Sequence, residues 1–262
     1  MRIVTFVKHV PSSAVTPRIA VSKERIEDAG LSHEVSEADL YAMEEAIYQR
    51  SIHPGSVTAV TVGPARAKEA LHLAYAKGVD HAVHVVDEAY RGTDPRFSVC
   101  AGSEIAKRLG FDIILTGIQA DDDLQGQFGI ALAESLGIPV VTAVTEVRAN
   151  PEQGWVRVIR ELGAGYKEEI EVDLPCLLTI QFGIRPVRYT PVMSIVRARS
   201  RKIESVGGGD LGIPPEEVAN GGRLRLVELS YPQDSGRCEL IEGSSGESAR
   251  ALVRRFVETG AI

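Results

Sequence analysis

Ile113-Ile114-Leu115-Thr116-Gly117-Ile118-Gln119-Ala120-Asp121-Asp122-Asp123-Leu124-Gln125-Gly126-Gln127-Phe128-Gly129 reads as an apolar strand, a glycine-bounded polar turn and the start of a helix. The strand is Ile113 to Leu115, and Ile130, Ala133, Glu134 and Leu136 outline the helix behind the turn. Gly117 lets the chain turn without a Cβ penalty, and a helix opening near Leu124 aims unpaired backbone N–H groups at an anion. Gly126 and Gly129 let a phosphate or ribose approach the backbone closely. The whole has the shape of a nucleotide site.

Three adjacent carboxylates repel a phosphate unless they point away or share a metal. Asp123 is placed to cap the following helix, and Asp122 to accept backbone N–H groups within the turn. The residues alone leave two alternatives open: an acidic capped turn with no ligand, and a magnesium site. Against magnesium, no Walker lysine follows.

On both sides of this turn, up to about residue 145, short apolar runs alternate with helical periods, the mark of βαβ units around a parallel sheet. Five strands are expected: Ile3 to Val7, Ser56 to Val62, His81 to Val86, Asp112 to Leu115 and Pro139 to Val144. Leu40, Met43 and Ile47 recur at helical spacing after Ser36, an N-cap candidate. Ala67, Ala70, Leu71 and Ala74 do so after Gly63-Pro64, and Val99, Ile105, Ala106 and Leu109 form a third stripe. From Thr142 onward the segments Thr145 to Ala149, Trp155 to Leu162 and Glu168 to Ile180, broken by Pro175, read as an antiparallel extension. Turns at Asn150-Pro151-Glu152-Gln153-Gly154 and Gly163-Ala164-Gly165 join them.

After Gly183, prolines bracket an exposed loop, Ile184 to Pro191, followed by Val192, Met193 and the basic Arg197, Arg199, Arg201 and Lys202. The basic run reads either as a solvated helix face or as an electrostatic docking surface. Val192 and Met193 are odd choices for a loop tip unless something covers them. The tail from Gly207-Gly208-Gly209 through Pro214-Pro215 to Pro232 has too many breakers for its own core. It reads as an arm on another surface, ending in a helix over Ser248 to Glu258. The fold class is therefore α/β: a doubly wound, mostly parallel sheet with an antiparallel extension and a C-terminal arm. The expected division is 1–205, including a loop region 184–202, and 206–262.

A chain of 262 residues buries a substantial core, and its net charge of −7 with 5% aromatic residues argues against nucleic-acid binding. Cys100, Cys176 and Cys238 form no CxxC pair, the six histidines show no HExxH spacing, and no metal is expected. There is no GxSxG elbow, no Walker lysine and no GxGxxG after the first strand, so an independent hydrolase, kinase or ordinary dinucleotide enzyme is not indicated. No 18-residue apolar run exists and the N-terminus reads directly as a strand, so the expected compartment is the cytoplasm, without membrane embedding.

Five motifs in order resemble the electron transfer flavoprotein beta-subunit family. They are Val7-Lys8-His9-Val10-Pro11, Glu44-Glu45-Ala46, Thr61-Val62-Gly63-Pro64-Ala65, the turn Gly117 to Gly129, and Arg188-Tyr189 with the apolar tip and basic run behind it. The resemblance implies an adenine nucleotide alpha hydrolase-like fold and a heterodimer with a larger alpha subunit that holds most of the FAD. The beta chain carries a structural AMP and is a carrier rather than an enzyme. Such a dimer takes electrons from flavin dehydrogenases, typically the acyl-CoA dehydrogenases of fatty acid oxidation, and passes them to a membrane quinone oxidoreductase.

Carried over, the adenylate pocket uses Phe6, Ser36, Asp39, Val62, Gly117 and the loop Ile118 to Gly129. Partner docking uses Arg188, Tyr189, Val192, Met193 and Arg197. The chain departs from the family pattern in several places: Leu124 stands where a third aspartate is common, and the acidic run starts at Asp121. Val192-Met193 replaces leucine-proline, Ser12 and Ser13 replace an acid and an aromatic residue, and Gly163-Ala164-Gly165 replaces an acidic turn. A bifurcating branch with a second FAD in the AMP site and NADH oxidation is the first alternative. That branch usually shows Asp-Gly-Asp, a glycine this chain lacks. A free-standing adenine-nucleotide enzyme or sensor is the second.

Overall fold

The computed structural model describes residues 1–27, 29–86, 95–213, 226–232, 238 and 240–262. It divides into two compact units, Met1–Glu228 and Leu229–Ile262. Pro214-Pro215, part of the expected arm, lies outside the described residues.

In the first unit, β1 (Arg2–Phe6), β4 (Ser56–Val62), β5 (His81–Val86), β6 (Ile113–Gly117), β7 (Val140–Asn150), β8 (Trp155–Gly163), β9 (Tyr166–Asp173), β10 (Cys176–Ile180) and β11 (Glu204–Gly207) form one sheet. Its order is β11-β5-β4-β1-β6-β10-β7-β8-β9. The strands from β11 to β7 run parallel, and β7, β8 and β9 are antiparallel to one another. A separate hairpin pairs β2 (His9–Pro11) with β3 (His33–Val35).

Two apolar layers cover the sheet. On one face, α1 (Glu37–Ile52) and α2 (Lys68–Lys77) set Ala42, Met43, Ala46, Leu71 and Ala74 against Ile3, Val57, Ile113, Leu115 and Leu178. On the other, α3 (Pro95–Leu109) and α4 (Phe128–Leu136) set Phe97, Ala101, Ile105 and Leu132 against Val4, Val60, Val83, Ile114 and Leu177. The alternation of residues along each strand between these layers is the period-2 rule of a sheet buried on both faces. Burial of each such side chain contributes about 1.5–3 kcal/mol, so the two layers, not helix propensity, hold the helices in place. The doubly wound α/β class read from the sequence is what the chain adopts.

Three details differ from the sequence reading. Pro139 to Val144 and Thr145 to Ala149 are one strand, β7, kinked where Ala143 takes φ +57° and the register shifts between Val144 and Glu146. The end of the expected segment Glu168 to Ile180 is not antiparallel: after Pro175, β10 returns to the middle of the parallel sheet between β6 and β7. Its unbroken apolar run, buried along its whole length, is the signature of an interior parallel strand. Strand β11 and the β2–β3 hairpin, both too short for a periodicity signal, have no counterpart in that reading.

After β10, the loop from Gly183 leads into α5 (Val192–Ala198). In the second unit, α6 (Ser245–Thr259) starts at Ser244, whose backbone N–H donates to the Glu247 carboxylate at 2.9 Å. Hydrogen bonds from Ser244 hold the Glu247 carboxyl below its usual range. Leu252, Val253, Phe256 and Val257 of this helix are exposed. Among the described residues no helix is long and apolar enough to cross a membrane.

Candidate nucleotide site

The chain leaves β1 toward β4 on one side and later returns to β6 on the other, so the strand order reverses between β1 and β6. A crevice at the carboxyl ends of the strands at such a reversal is where open α/β sheets bind ligands. A cleft of about 850 Å³, including the part open to solvent, lies there. Phe6, Val7, Lys8, Asp39, Val62, Pro95, Ser98, Thr116, Gly117 to Ala120, Asp123 and Gln125 to Gly129 line it.

Two glycines in the turn are fixed by packing. A Cβ on Gly117 would stand 2.6 Å from Asp39 Oδ1 and 2.7 Å from Ala38 Cβ, so the start of α1 rests on the bare backbone of β6. A Cβ on Gly129 would meet Thr116 Oγ1 at 2.7 Å and Thr179 Cγ2 at 2.8 Å, which makes this glycine a seat for α4 on the sheet rather than a gap for a ligand. Gly126, with φ +61° and a place in the cleft wall, is where an L side chain would be strained.

The helix behind the turn opens at Phe128, four residues later than the sequence reading placed it. Leu124 takes φ +52° and ends a turn closed by its own N–H to Ala120 O, which a helix cannot continue through. Asp123 accordingly accepts the N–H of Gln125 at 3.1 Å within the turn and caps nothing. The backbone N–H groups of Gly126, Gln127, Phe128, Gly129 and Ile130 have no acceptor among the described residues. Together with the helix dipole they favour an anion by about 0.3–1 kcal/mol, rising to about 2 where partly buried.

Each of the three aspartates is engaged, and of the three only Asp123 lines the cleft. Asp121 Oδ2 accepts the N–H of Glu37 at 2.7 Å, capping α1, while Ser36 Oγ accepts the N–H of Asp121 at 3.3 Å. Ser36 is the N-cap residue of α1, but its side chain makes no bond to that helix. Lys8 Nζ donates to Asp122 Oδ1 at 2.6 Å and Asp123 Oδ2 at 2.8 Å. Burial pulls the Lys8 ammonium down, but the bonds and charges of these two carboxylates outweigh it and hold its pKa above the ordinary lysine value.

Asp39 sits inside the first turn of α1, not before it. Its Oδ2 accepts the N–H of Lys8 at 2.8 Å and its Oδ1 the N–H of Gly117 at 2.9 Å, joining the ends of β1 and β6 across the strand reversal. Burial pushes its carboxyl up to about 7, opposed by those two N–H groups and by Lys8. Phe6 and Phe128 meet edge to face with centroids 5.2 Å apart and form an apolar wall suited to a purine face. Thr116 Oγ1 is buried in the cleft lining without a partner.

Of the residues expected from sequence, Phe6, Asp39, Val62, Gly117, Ile118, Gln119, Ala120, Asp123, Gln125, Gly126, Gln127, Phe128 and Gly129 converge on this cleft. Ser36, Asp121 and Asp122 stand behind it as its bracing, and Leu124 is 62% exposed. Val7, Lys8, Thr116, Pro95 and Ser98 were not anticipated. Lys8 and Thr116 carried a usable signal, since each flanks a strand's carboxyl end. What the cleft offers is a row of open backbone amides, two aromatic edges and one hydroxyl without a partner among the described residues.

The second expected region divides in two. Tyr189 is 84% exposed, Val192 66% and Met193 61%, an apolar tip facing solvent. The basic side chains around it are not a free cationic face. Arg185 bonds Glu45, Arg188 Nε bonds Glu44 at 2.6 Å, Arg199 bonds Glu69 at 3.1 Å, and Arg201 bonds the carbonyls of Val79 and Asp80.

Comparison with known proteins agrees with this geometry. The electron transfer flavoprotein domain matches residues 25–208. The chain is 30% identical over 256 residues, 97% of each chain, to the electron transfer flavoprotein subunit beta of Methylophilus methylotrophus. It is 32% identical over 240 residues, 90% of each, to that of Bacillus subtilis (strain 168). It is also 31% identical over 264 aligned positions, 98% of each, to the caffeyl-CoA reductase-Etf complex subunit CarD of Acetobacterium woodii. The sheet, the cleft and a likeness running the length of the chain lead to one assignment: this chain belongs to the electron transfer flavoprotein family, among its beta subunits.

Proposed function

We propose that the chain is the adenylate-holding, partner-presenting half of a cytoplasmic heterodimer with an electron transfer flavoprotein alpha subunit. AMP sits in the cleft between β1 and β6 and is structural. Its phosphate lies on the open amides of Gly126 to Ile130, its base near Phe6 and Phe128, and Thr116 Oγ1 completes a hydrogen bond. FAD, held mainly by the alpha subunit, supplies the redox chemistry. This chain's own residues bind, brace and present. The tip Tyr189, Val192 and Met193, with Arg197, meets a flavin dehydrogenase, an acyl-CoA dehydrogenase in the favoured case. A membrane quinone oxidoreductase accepts the electrons.

The observation that carries the reading is the set of unpaired amides at the strand reversal beside a lysine whose charge Asp122 and Asp123 already match. Such a site holds one phosphate and, among the described residues, offers no unengaged cation for phosphoryl chemistry. The test is co-expression with the alpha subunit, followed by ligand extraction and identification by mass. One FAD and one AMP per heterodimer are expected. Two flavins per heterodimer overturn the AMP assignment in favour of a second FAD in this cleft, and nucleotide hydrolysis by the chain alone overturns the carrier reading.

A further inference from the structure

Glu44 and Glu45 are adjacent on α1 and both almost wholly buried, an arrangement that is costly without matching cations. Each has one, and both cations come from the same short segment. Arg188 donates to Glu44 through Nε at 2.6 Å and through its backbone N–H at 3.1 Å, while its own carbonyl accepts from Lys77 Nζ at 2.8 Å. Lys77 Nζ also reaches Glu44 at 2.8 Å, closing a three-residue ring between α1, α2 and the loop. Arg185 bonds Glu45 and stacks its guanidinium 3.2 Å from the centroid of Tyr48. The far oxygen of Glu45 accepts from Gln49 at 2.6 Å. Burial raises the Glu45 carboxyl above its ordinary value, opposed by the Gln49 hydrogen bond and by the charge and hydrogen bond of Arg185.

Two features separate this from ordinary surface pairing. Exposed ion pairs hold nothing in position, because screening and side-chain entropy cancel them. Here the acids are buried and rigid on a helix packed against the sheet, and the bonded groups include backbone atoms of the loop itself. Directly after the anchored Arg188 comes Tyr189, 84% exposed, and then the apolar tip. Tyr189, Val192 and Met193 project into water between two packed points, Ile184 before them and Ala198 at the end of α5, so the stretch between needs an anchor at its root.

We propose that Glu44 and Glu45 are positioning residues for partner docking: through Arg188 and Arg185 they fix the place from which Tyr189, Val192 and Met193 project. The inference rests on the reading of that tip as a docking element. Pre-organising it lowers the ordering cost that a flexible loop meets on association. The partner face that fits is an apolar pocket able to take a valine and a methionine side by side.

The experiment compares the intact heterodimer with its Glu44→Gln, Glu45→Gln and Arg188→Met variants. Arg188→Met leaves Glu44 matched by Lys77, so it remains informative should a glutamate variant fail to fold. Hydrogen exchange of the amides of 187–193 should speed up by about tenfold or more in each variant, as expected for a local opening equilibrium. With an acyl-CoA dehydrogenase as electron donor, the apparent KM for the heterodimer should rise by about fivefold while kcat stays within about twofold, since pre-organisation affects encounter and not transfer. Flavin and adenylate content should not change.

Unaltered exchange overturns the anchor. Faster exchange with an unaltered KM overturns its role in docking, provided Val192→Asp does raise KM. If Val192→Asp also leaves KM unchanged, the docking reading of the tip has failed and the anchor is structural only. If the wild-type heterodimer is not reduced by the dehydrogenase, the donor class fails, and the exchange result alone decides whether the glutamates hold the tip.

Discussion

Replacing Asp39 by alanine removes the acceptor for two backbone N–H groups at once, those of Lys8 at 2.8 Å and Gly117 at 2.9 Å. Both donors lie at strand ends under the start of α1, where the side chain is 8% exposed and water has little access. A buried donor left unsatisfied costs about 1–3 kcal/mol, so Asp39→Ala should lose about 4 kcal/mol, and Asp39→Asn, which keeps one carbonyl oxygen, about half of that. A pH signature distinguishes this from generic damage. The native carboxyl titrates near 7 and the unfolded one near 3.8, so the native state keeps a proton over that interval that the unfolded state has lost. For a carboxyl raised by folding, the contribution is full below the unfolded pKa and is lost as pH rises through the native one. The change is at most about 4 kcal/mol across the window. Asn cannot titrate, so wild type should exceed Asp39→Asn in stability by more near pH 5 than near pH 8. Urea unfolding at a series of pH values measures both quantities. A loss under about 1 kcal/mol for the alanine variant, or a wild-type-to-asparagine difference that does not vary with pH, refutes the reasoning.

Gly126→Val places a β-branched L residue at φ +61°, at a local cost of about 1–2 kcal/mol, and crowds the cleft wall. Extracted protein should contain little AMP, and a full complement of adenylate would count against the pocket. Val192→Asp puts a charge into a contact expected to be dry and should slow electron delivery from the dehydrogenase about tenfold, with FAD per heterodimer unchanged. Undiminished coupling would remove Val192 from the docking tip. Burial pushes the Cys176 thiol up to about 12, whereas Cys238 is exposed. A disulfide reagent at about pH 8 should modify Cys238 promptly and Cys176 only after denaturation. Modification of native Cys176 at the unfolded rate would show that β10 is not interior.

The parallel half of the fold was legible where a strand is followed at short range by its covering helix, as β4 is by α2 and β6 by α4, because both leave a periodic trace. Strand β10 was not, because its neighbours in sequence are the antiparallel β8 and β9 while its neighbours in the sheet are β6 and β7. Nothing local marks that return except an unbroken apolar run after a proline. The site was legible as far as shape goes: a strand, a glycine and a helix start were enough to find the crevice. Charge pairing was invisible for a physical reason, namely that each partner is remote. Arg188 lies 144 residues from Glu44, Lys8 114 from Asp122, and Glu37 84 from Asp121. Of the basic run that looked solvated or free for docking, Arg199 and Arg201 are exposed yet bonded to Glu69 and to the Val79 and Asp80 carbonyls, and a helix cap assigned to Ser36 is supplied from another loop.

That remote pairing also explains how a turn with three aspartates can face a phosphate. Asp121 bonds the positive end of α1, and Asp122 and Asp123 share the Lys8 ammonium, which lines the cleft beside Asp123, so none of the three carboxylates stands unopposed. What the cleft then presents to an anion is the backbone of Gly126 to Gly129 with the α4 dipole behind it, beside the Lys8 ammonium that Asp122 and Asp123 already engage. Side chains on the outer side of the loop can therefore differ from the family pattern without touching the ligand. Leu124, exposed and absent from the cleft lining, is such a position. Asp121, one turn earlier, has instead acquired the capping of α1, and α1 is the helix that carries Asp39 into the cleft and Glu44 and Glu45 under the docking loop. A single helix thus links the bracing of the turn after β6 to the root of the exposed apolar tip.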